Sequence, residues 1–166
     1  MRFLKYVFVG VLLLFFISFT GEQTARSSEG LFEGNKAPEI SVDDLSGKLN
    51  LKDFEGRYVL VNFWAAYDAR SRENNVSLWN EVKKINKKEV AMVSVSFDKF
   101  ESVFEETVKI DGIDQTTQFY EAKGENSELF KKYQLQKGFT SYLLDKSGKI
   151  LAKGVHAENL RTLLRN

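Results

Sequence analysis

The chain has 166 residues, of which 43% are hydrophobic and 14 are Phe, enough for one compact domain with a short appendage and too apolar for global disorder. Its 24 Lys and Arg against 23 Asp and Glu leave a net charge of +1, without the basic excess expected of a nucleic-acid binder. With no cysteine and one histidine, it can form no disulfide, thiolate nucleophile, cysteine-bound zinc or multi-histidine metal site of its own.

The N-terminus carries Arg2 and Lys5, then an apolar run over residues 6–19, then the polar "GEQTARSSEG". The run has the length of a signal-peptide core and is short for a membrane span. It is apolar on every face, unlike a one-sided core helix. Residues 1–25 are therefore expected to be an export signal or an uncleaved N-terminal anchor. A cut after Ala25 puts Gln23 where a small residue is usual. Residues 26–36, rich in Ser, Gly and Glu, are expected to be a linker, and 37–166 the domain.

"APEISVDDLSGKLNLKDF" has short apolar runs around Ser46–Gly47, predicting a hairpin with Ile40 and Leu49 to Leu51 in its strands. "RYVLVNFWA", dense in β-branched and aromatic residues, predicts a buried central strand. Val76, Trp79, Val82 and Ile85 then recur at helical spacing. Lys83, Lys84, Lys87 and Lys88 crowd the end of that helix, where they answer its dipole or form a basic patch.

"EVAMVSVSF", residues 89–97, predicts a second buried strand. Phe100, Val103, Phe104, Thr107 and Val108 follow the spacing of an amphipathic helix. "TTQFYEA" suggests a short strand, and "NSELFKKYQL" a short helix capped by Asn126 or Ser127. "FTSYLLDKSGKILAKG" predicts a hairpin turning at Ser147 and Gly148, and "AENLRTLLRN" a closing helix with Leu160, Leu163 and Leu164 inward. The order is that of a layered α/β domain, with a right-handed parallel βαβ unit at its centre and antiparallel strands added by the last hairpin.

"GNKAPEISVDDLSGKLNLKDFEGRYVLVNFWAA" and "SYLLDKSGKI" resemble the two ends of the thioredoxin-like superfamily, most closely the exported thiol–disulfide oxidoreductases of the TlpA/ResA type and the wider AhpC/TSA redoxins. The resemblance spans roughly residues 34–165. It implies a three-layer fold, a central mixed sheet flanked by helices, with an N-terminal β-hairpin extension. The family's Trp-Cys-x-x-Cys-Arg motif, just after "FWA", is matched here by Tyr67, Asp68, Ala69, Arg70, Ser71 and Arg72. Asp68 stands at the attacking thiol and Ser71 at the resolving one. The family's cis-proline is matched by Phe139 in the loop Gly138, Phe139, Thr140, and its helix-kinking proline by Val76.

A helix N-terminus that would lower a thiol pKa also favours a carboxylate. Asp68 is expected to keep the anion and the cap, accepting an N–H from Arg70 or Ser71, without sulfur chemistry. His156 is expected as a lone surface histidine, and Asp43–Asp44 and Glu105–Glu106 as solvated acids. Cis geometry costs about 2.5–4 kcal/mol before a non-proline residue, so the Gly138–Phe139 bond is expected to be trans. Phe139 then either plugs the groove over Asp68 or joins Trp64 and Tyr67 in an aromatic patch.

The expected function is a non-catalytic, cofactor-free, exported protein of the cell envelope, periplasmic or anchored to the outer face of the inner membrane. It would bind a peptide or protein partner or act as a scaffold, meeting the membrane only through an uncleaved N-terminal segment. The alternatives are a redox accessory working through a partner's thiols, a non-thiol enzyme, or a decayed copy.

Overall fold

The computed structural model describes residues 28–44 and 47–165; the expected signal at 1–25 lies outside it, as do the side chains of Asp43 and Asp44. A five-stranded mixed sheet forms the centre. Its strands are β3 (Tyr58–Trp64), β4 (Val90–Ser96), β5 (Gln118–Tyr120), β6 (Ser141–Leu144) and β7 (Ile150–Lys153). The spatial order is β5-β4-β3-β6-β7. β3 pairs parallel with β4 and antiparallel with β6, and β4 pairs parallel with β5. A separate two-stranded sheet, β1 (Ser41–Asp44) with β2 (Gly47–Asn50), is the N-terminal hairpin. Ile40 lies just before β1, and Leu51 opens a short 3-10 turn after β2, so the hairpin is shorter than its apolar residues suggest.

The two long apolar runs become neighbouring parallel strands because both sheet faces are covered. β4 is buried along its whole length, and β3 from Val59 onward. One face packs Phe63, Val93, Val95 and Phe97 against Tyr133, Leu129 and the hairpin residues Val42 and Leu49. The other packs Leu60, Met92 and Leu143 against α1 (Ala69–Val82) and α4 (Ala157–Leu163) through Leu78, Val82 and Leu160. α2 (Glu101–Ile110) and α3 (Glu128–Lys132) complete the helices. Ser127 caps α3, accepting the Phe130 N–H at 3.1 Å. Among the described residues no helix is long and apolar enough to cross a membrane.

Two helices differ from their sequence patterns. The buried face of α1 is Ser71, Asn75, Leu78 and Val82, with Val76 and Trp79 only half-buried. Two polar residues can face the sheet because a buried hydrogen-bond network satisfies them. Asn75 Oδ1 accepts from Asn62 Nδ2 at 3.0 Å and from Ser94 Oγ at 2.8 Å, and Asn75 Nδ2 donates to Gln118 Oε1 at 3.0 Å. In α2 only Thr107 and Val108 are buried, while Val103 and the preceding Phe100 remain exposed. α1 ends at Val82, so the four lysines follow the helix instead of forming its last turn.

The expected linker is partly docked. Gly34 N–H donates to the Ile150 carbonyl at 2.8 Å, Ile150 N–H to Asn35 at 2.9 Å and Ala37 N–H to Gly148 at 3.0 Å. Residues 28–36 thus lie along the start of β7.

Candidate functional site

The site forms where β3 gives way to α1. Asp68 has extended backbone dihedrals, φ −98° and ψ 97°, while α1 begins at the next residue. Its carboxylate accepts the Ser71 N–H at 2.7 Å, satisfying one of the donors that a helix start leaves without a partner. The Ser71 hydroxyl donates to the Asp68 carbonyl at 3.1 Å and accepts the Ala65 N–H at 3.3 Å. Asp68 and Ser71 are thus held together by backbone as well as side-chain bonds, and Ser71 is buried. Among the described residues no base hydrogen-bonds its hydroxyl, which donates to the Asp68 carbonyl.

The preceding loop is fixed from below by Asp98, a buried residue that the sequence reading does not single out. Both of its carboxylate oxygens accept the Ala66 N–H, at 2.9 and 3.1 Å, and Oδ2 also accepts the Ser96 hydroxyl at 2.7 Å. The available signal is an acid two residues past the end of a wholly buried strand, with a serine two residues before it.

Tyr67 lies over this loop. Its hydroxyl donates to Glu125 at 3.1 Å, and its pKa is pushed up to about 12, first by burial, then by the Glu125 hydrogen bond and nearby carboxylates. The Tyr67 ring is 6.2 Å from that of Phe139, which also stacks on Phe97 at 5.9 Å and meets Phe130 edge-on at 6.3 Å. No cis peptide occurs among the described residues, so the bond before Phe139 is trans as expected. Gly138 has φ +118°, which favours glycine, and the Thr140 carbonyl accepts the Phe63 N–H at 3.1 Å. Phe139 is half-buried, joining the aromatic core while still lining the groove.

Trp64 departs from the aromatic patch considered above. Being adjacent to Phe63 on a strand, it points to the opposite sheet face. There it is fully buried with Val108 and Ile113, its ring 6.2 Å from Phe104. Arg72 also turns away from the groove. Its Nε and NH2 groups donate to Asp111 Oδ2 at 2.8 Å and Oδ1 at 2.6 Å, joining α1 to the end of α2 and raising the guanidinium pKa further. With Ala66, Tyr67, Ala69 and Val76 it lines a shallow cleft of about 400 Å³.

Asp68, Arg70, Ser71, Gly138, Phe139 and Thr140 instead open onto a groove of about 1140 Å³. Its far wall includes docked residues of the N-terminal segment, and His156 lies at its edge. His156 Nδ1 is 2.9 Å from Asn74 Oδ1. Among the described residues no group of His, Cys, Asp and Glu could hold a metal ion.

A parallel βαβ centre with an antiparallel hairpin beside it, and a capped loop-to-helix turn facing the loop before that hairpin, define a thioredoxin-like protein. The chain belongs to the AhpC/TSA family, whose model matches residues 34–153. It is 31% identical over 153 residues to the thiol-disulfide oxidoreductase ResA of Bacillus cereus, covering 90% of this chain and 86% of the relative. To the thioredoxin-like protein YneN of Bacillus subtilis it is 31% identical over 155 residues, covering 89% and 88%. The crystal structure of a thioredoxin-like protein from Parabacteroides distasonis superposes with a TM-score of 0.74 at 46% identity, covering 84% of this chain and 98% of that one.

Proposed function

We propose that this is a non-catalytic thioredoxin-like protein of the cell envelope, which binds a peptide or protein partner at the groove between Asp68 and Phe139. The observation that carries the reading is the Asp68 carboxylate at the head of α1, bonded to Ser71 N–H at 2.7 Å in a chain without sulfur nucleophiles. A carboxylate there uses the positive end of the helix as an anchor, but it cannot form the mixed disulfide of thiol exchange. The envelope location rests on the cationic start and apolar run at the N-terminus. In this reading residues 1–25 are signal or anchor, and any membrane contact is made there.

Two measurements test it. Purified protein is expected to give no insulin reduction with dithiothreitol above the no-protein background. A photo-crosslinking residue in place of Phe139 is expected to trap one partner from envelope extract, while the same residue at exposed Lys87 does not. Turnover by a clean preparation would refute the non-catalytic assignment, and identical capture from both positions would refute the groove.

A second reading draws on the names of the relatives, which are thiol-disulfide oxidoreductases. In it the protein is a redox accessory that presents a partner's thiols. It requires insulin reduction to appear only when the trapped partner is added.

A further inference from the structure

The groove concentrates positive charge in a chain that is almost neutral. Arg70 in the first turn of α1, Lys132 at the end of α3, Lys137 before the Phe139 loop and Lys153 at the end of β7 all open onto it. All four are exposed. Among the described residues none forms an ion pair, whereas Arg72, Lys84, Lys109, Lys131 and Arg161 each have a carboxylate partner. Lys137 Nζ reaches only the neutral Gln134 Oε1, at 2.9 Å, and Lys153 Nζ lies over the Tyr142 ring at 5.5 Å. The acids facing the same groove are Asp68, already engaged by Ser71 N–H, and Glu29.

Among the described residues four cations therefore face two carboxylates in the groove, while the whole chain carries 24 cations against 23 acids. Composition does not account for that local excess. Like charges brought to one concave surface reinforce each other's field, and the groove's own low-dielectric walls focus it outward. The positive end of α1 adds to the same side. At about 1140 Å³ the groove has room for a stretch of extended polypeptide. The half-buried Phe139 ring offers an apolar contact between the cations.

We infer that the groove receives an extended acidic peptide segment of a partner protein, with an apolar side chain set against Phe139 and flanking carboxylates meeting Lys132, Lys137, Lys153 and Arg70. This rests on the partner-binding reading above and specifies the chemistry of the partner. The charged contacts lie at the rim, where they select and steer the ligand, and the aromatic ring sets its register.

The test is fluorescence anisotropy with the full-length protein and three labelled peptides. One alternates Glu and Ser around a central Leu, and the others carry Gln or Lys in place of Glu. The Glu peptide is expected to bind about tenfold more tightly than the Gln peptide, and that advantage is expected to fade as salt rises from about 0.05 to about 0.5 M. The surface triple variant Lys132→Gln, Lys137→Gln, Lys153→Gln is expected to lose the preference. The control triple Lys83→Gln, Lys87→Gln, Lys88→Gln is expected to keep it.

Equal binding of the Glu and Gln peptides, both weakened by Phe139→Ala, would overturn the acidic preference and leave the partner groove standing. Binding indifferent both to the lysine triple and to Phe139→Ala would place it elsewhere and overturn both. Failure of every peptide to bind would overturn the acidic inference, with the Phe139 crosslinking test still deciding the groove.

Discussion

The backbone N–H of Ala66 is divided between the two carboxylate oxygens of Asp98, at 2.9 and 3.1 Å, and this one contact joins the end of β4 to the loop that carries Asp68. Asp98→Ala is expected to strand the Ala66 N–H and the Ser96 hydroxyl, at a cost of about 3 kcal/mol, since each buried unpartnered polar group costs about 1–3. Asp98→Asn, which retains one carbonyl acceptor, is expected to lose less. Urea unfolding of the two variants gives the comparison, and equal midpoints for wild type and Asp98→Ala would show that the loop is held by something else.

At the start of α1 the expected effect of Asp68→Ala is a loss of about 1 kcal/mol, within the range of roughly 0.5–2 for removing an N-cap. Asp68→Asn and Asp68→Ser, which can still accept the Ser71 N–H, are expected to recover most of it. Asp68→Cys reports on the helix field itself. Its thiol is expected to titrate below the ordinary value of about 8.5, measured by the pH dependence of iodoacetamide alkylation. A value at or above that figure would mean that the helix end is not an anion site.

The buried network around Asn75 gives a sharper stability test. Asn75→Leu is expected to cost about 3 kcal/mol or more despite its apolar side chain, because Asn62, Ser94 and Gln118 each lose a partner. Replacing all four residues with apolar ones of similar volume is expected to cost much less than the sum of the single changes. Chemical denaturation of the single and quadruple variants decides it, and additivity would sink the idea of a cooperative network.

Alkaline pH is expected to loosen the fold through its tyrosines. Tyr67 and Tyr142 have their pKa pushed up from 10.0 to about 12 in the folded state, and burial drives Tyr133 higher still. Between pH 10 and about 12 the unfolded chain thus loses phenolic protons that the folded protein keeps. Stability is fully present below pH 10 and falls as the pH rises through the folded values. The contribution of Tyr67 is small because the residue is 61% exposed. Phenolate absorbance should show late-titrating tyrosines in native protein, and Tyr67→Phe should remove one of them. A single transition at the ordinary tyrosine value would contradict this.

Sequence patterning located β3, β4, the closing hairpin and the Asp68 cap because each depends on residues close together in the chain. An apolar β-branched run has one comfortable place in an α/β sheet, and an acid before a helix has one obvious hydrogen-bond role. The features that were not legible join distant segments. Asn75 lies outside the Val76, Trp79, Val82 and Ile85 stripe, and only the fold brings Asn62, Ser94 and Gln118 to it. Trp64 and Tyr67 are three residues apart and look like one patch, but the strand's alternation sends Trp64 across the sheet. Asp98 looks like a loop acid until the turn after β3 lies over it. Residues 28–36 have a linker's composition, yet their main-chain groups find partners on β7, which no side-chain pattern announces.

That docking has a consequence for how copies of the protein meet. An open sheet border is a template on which another chain can lay a strand, the common route to edge-to-edge aggregation. Here the start of β7 already bonds to Gly34 and Asn35, and the opposite border, β5, is only three residues long. Little continuous border remains for a second chain to extend. Extension of this sheet by a second copy is thereby discouraged at both sides.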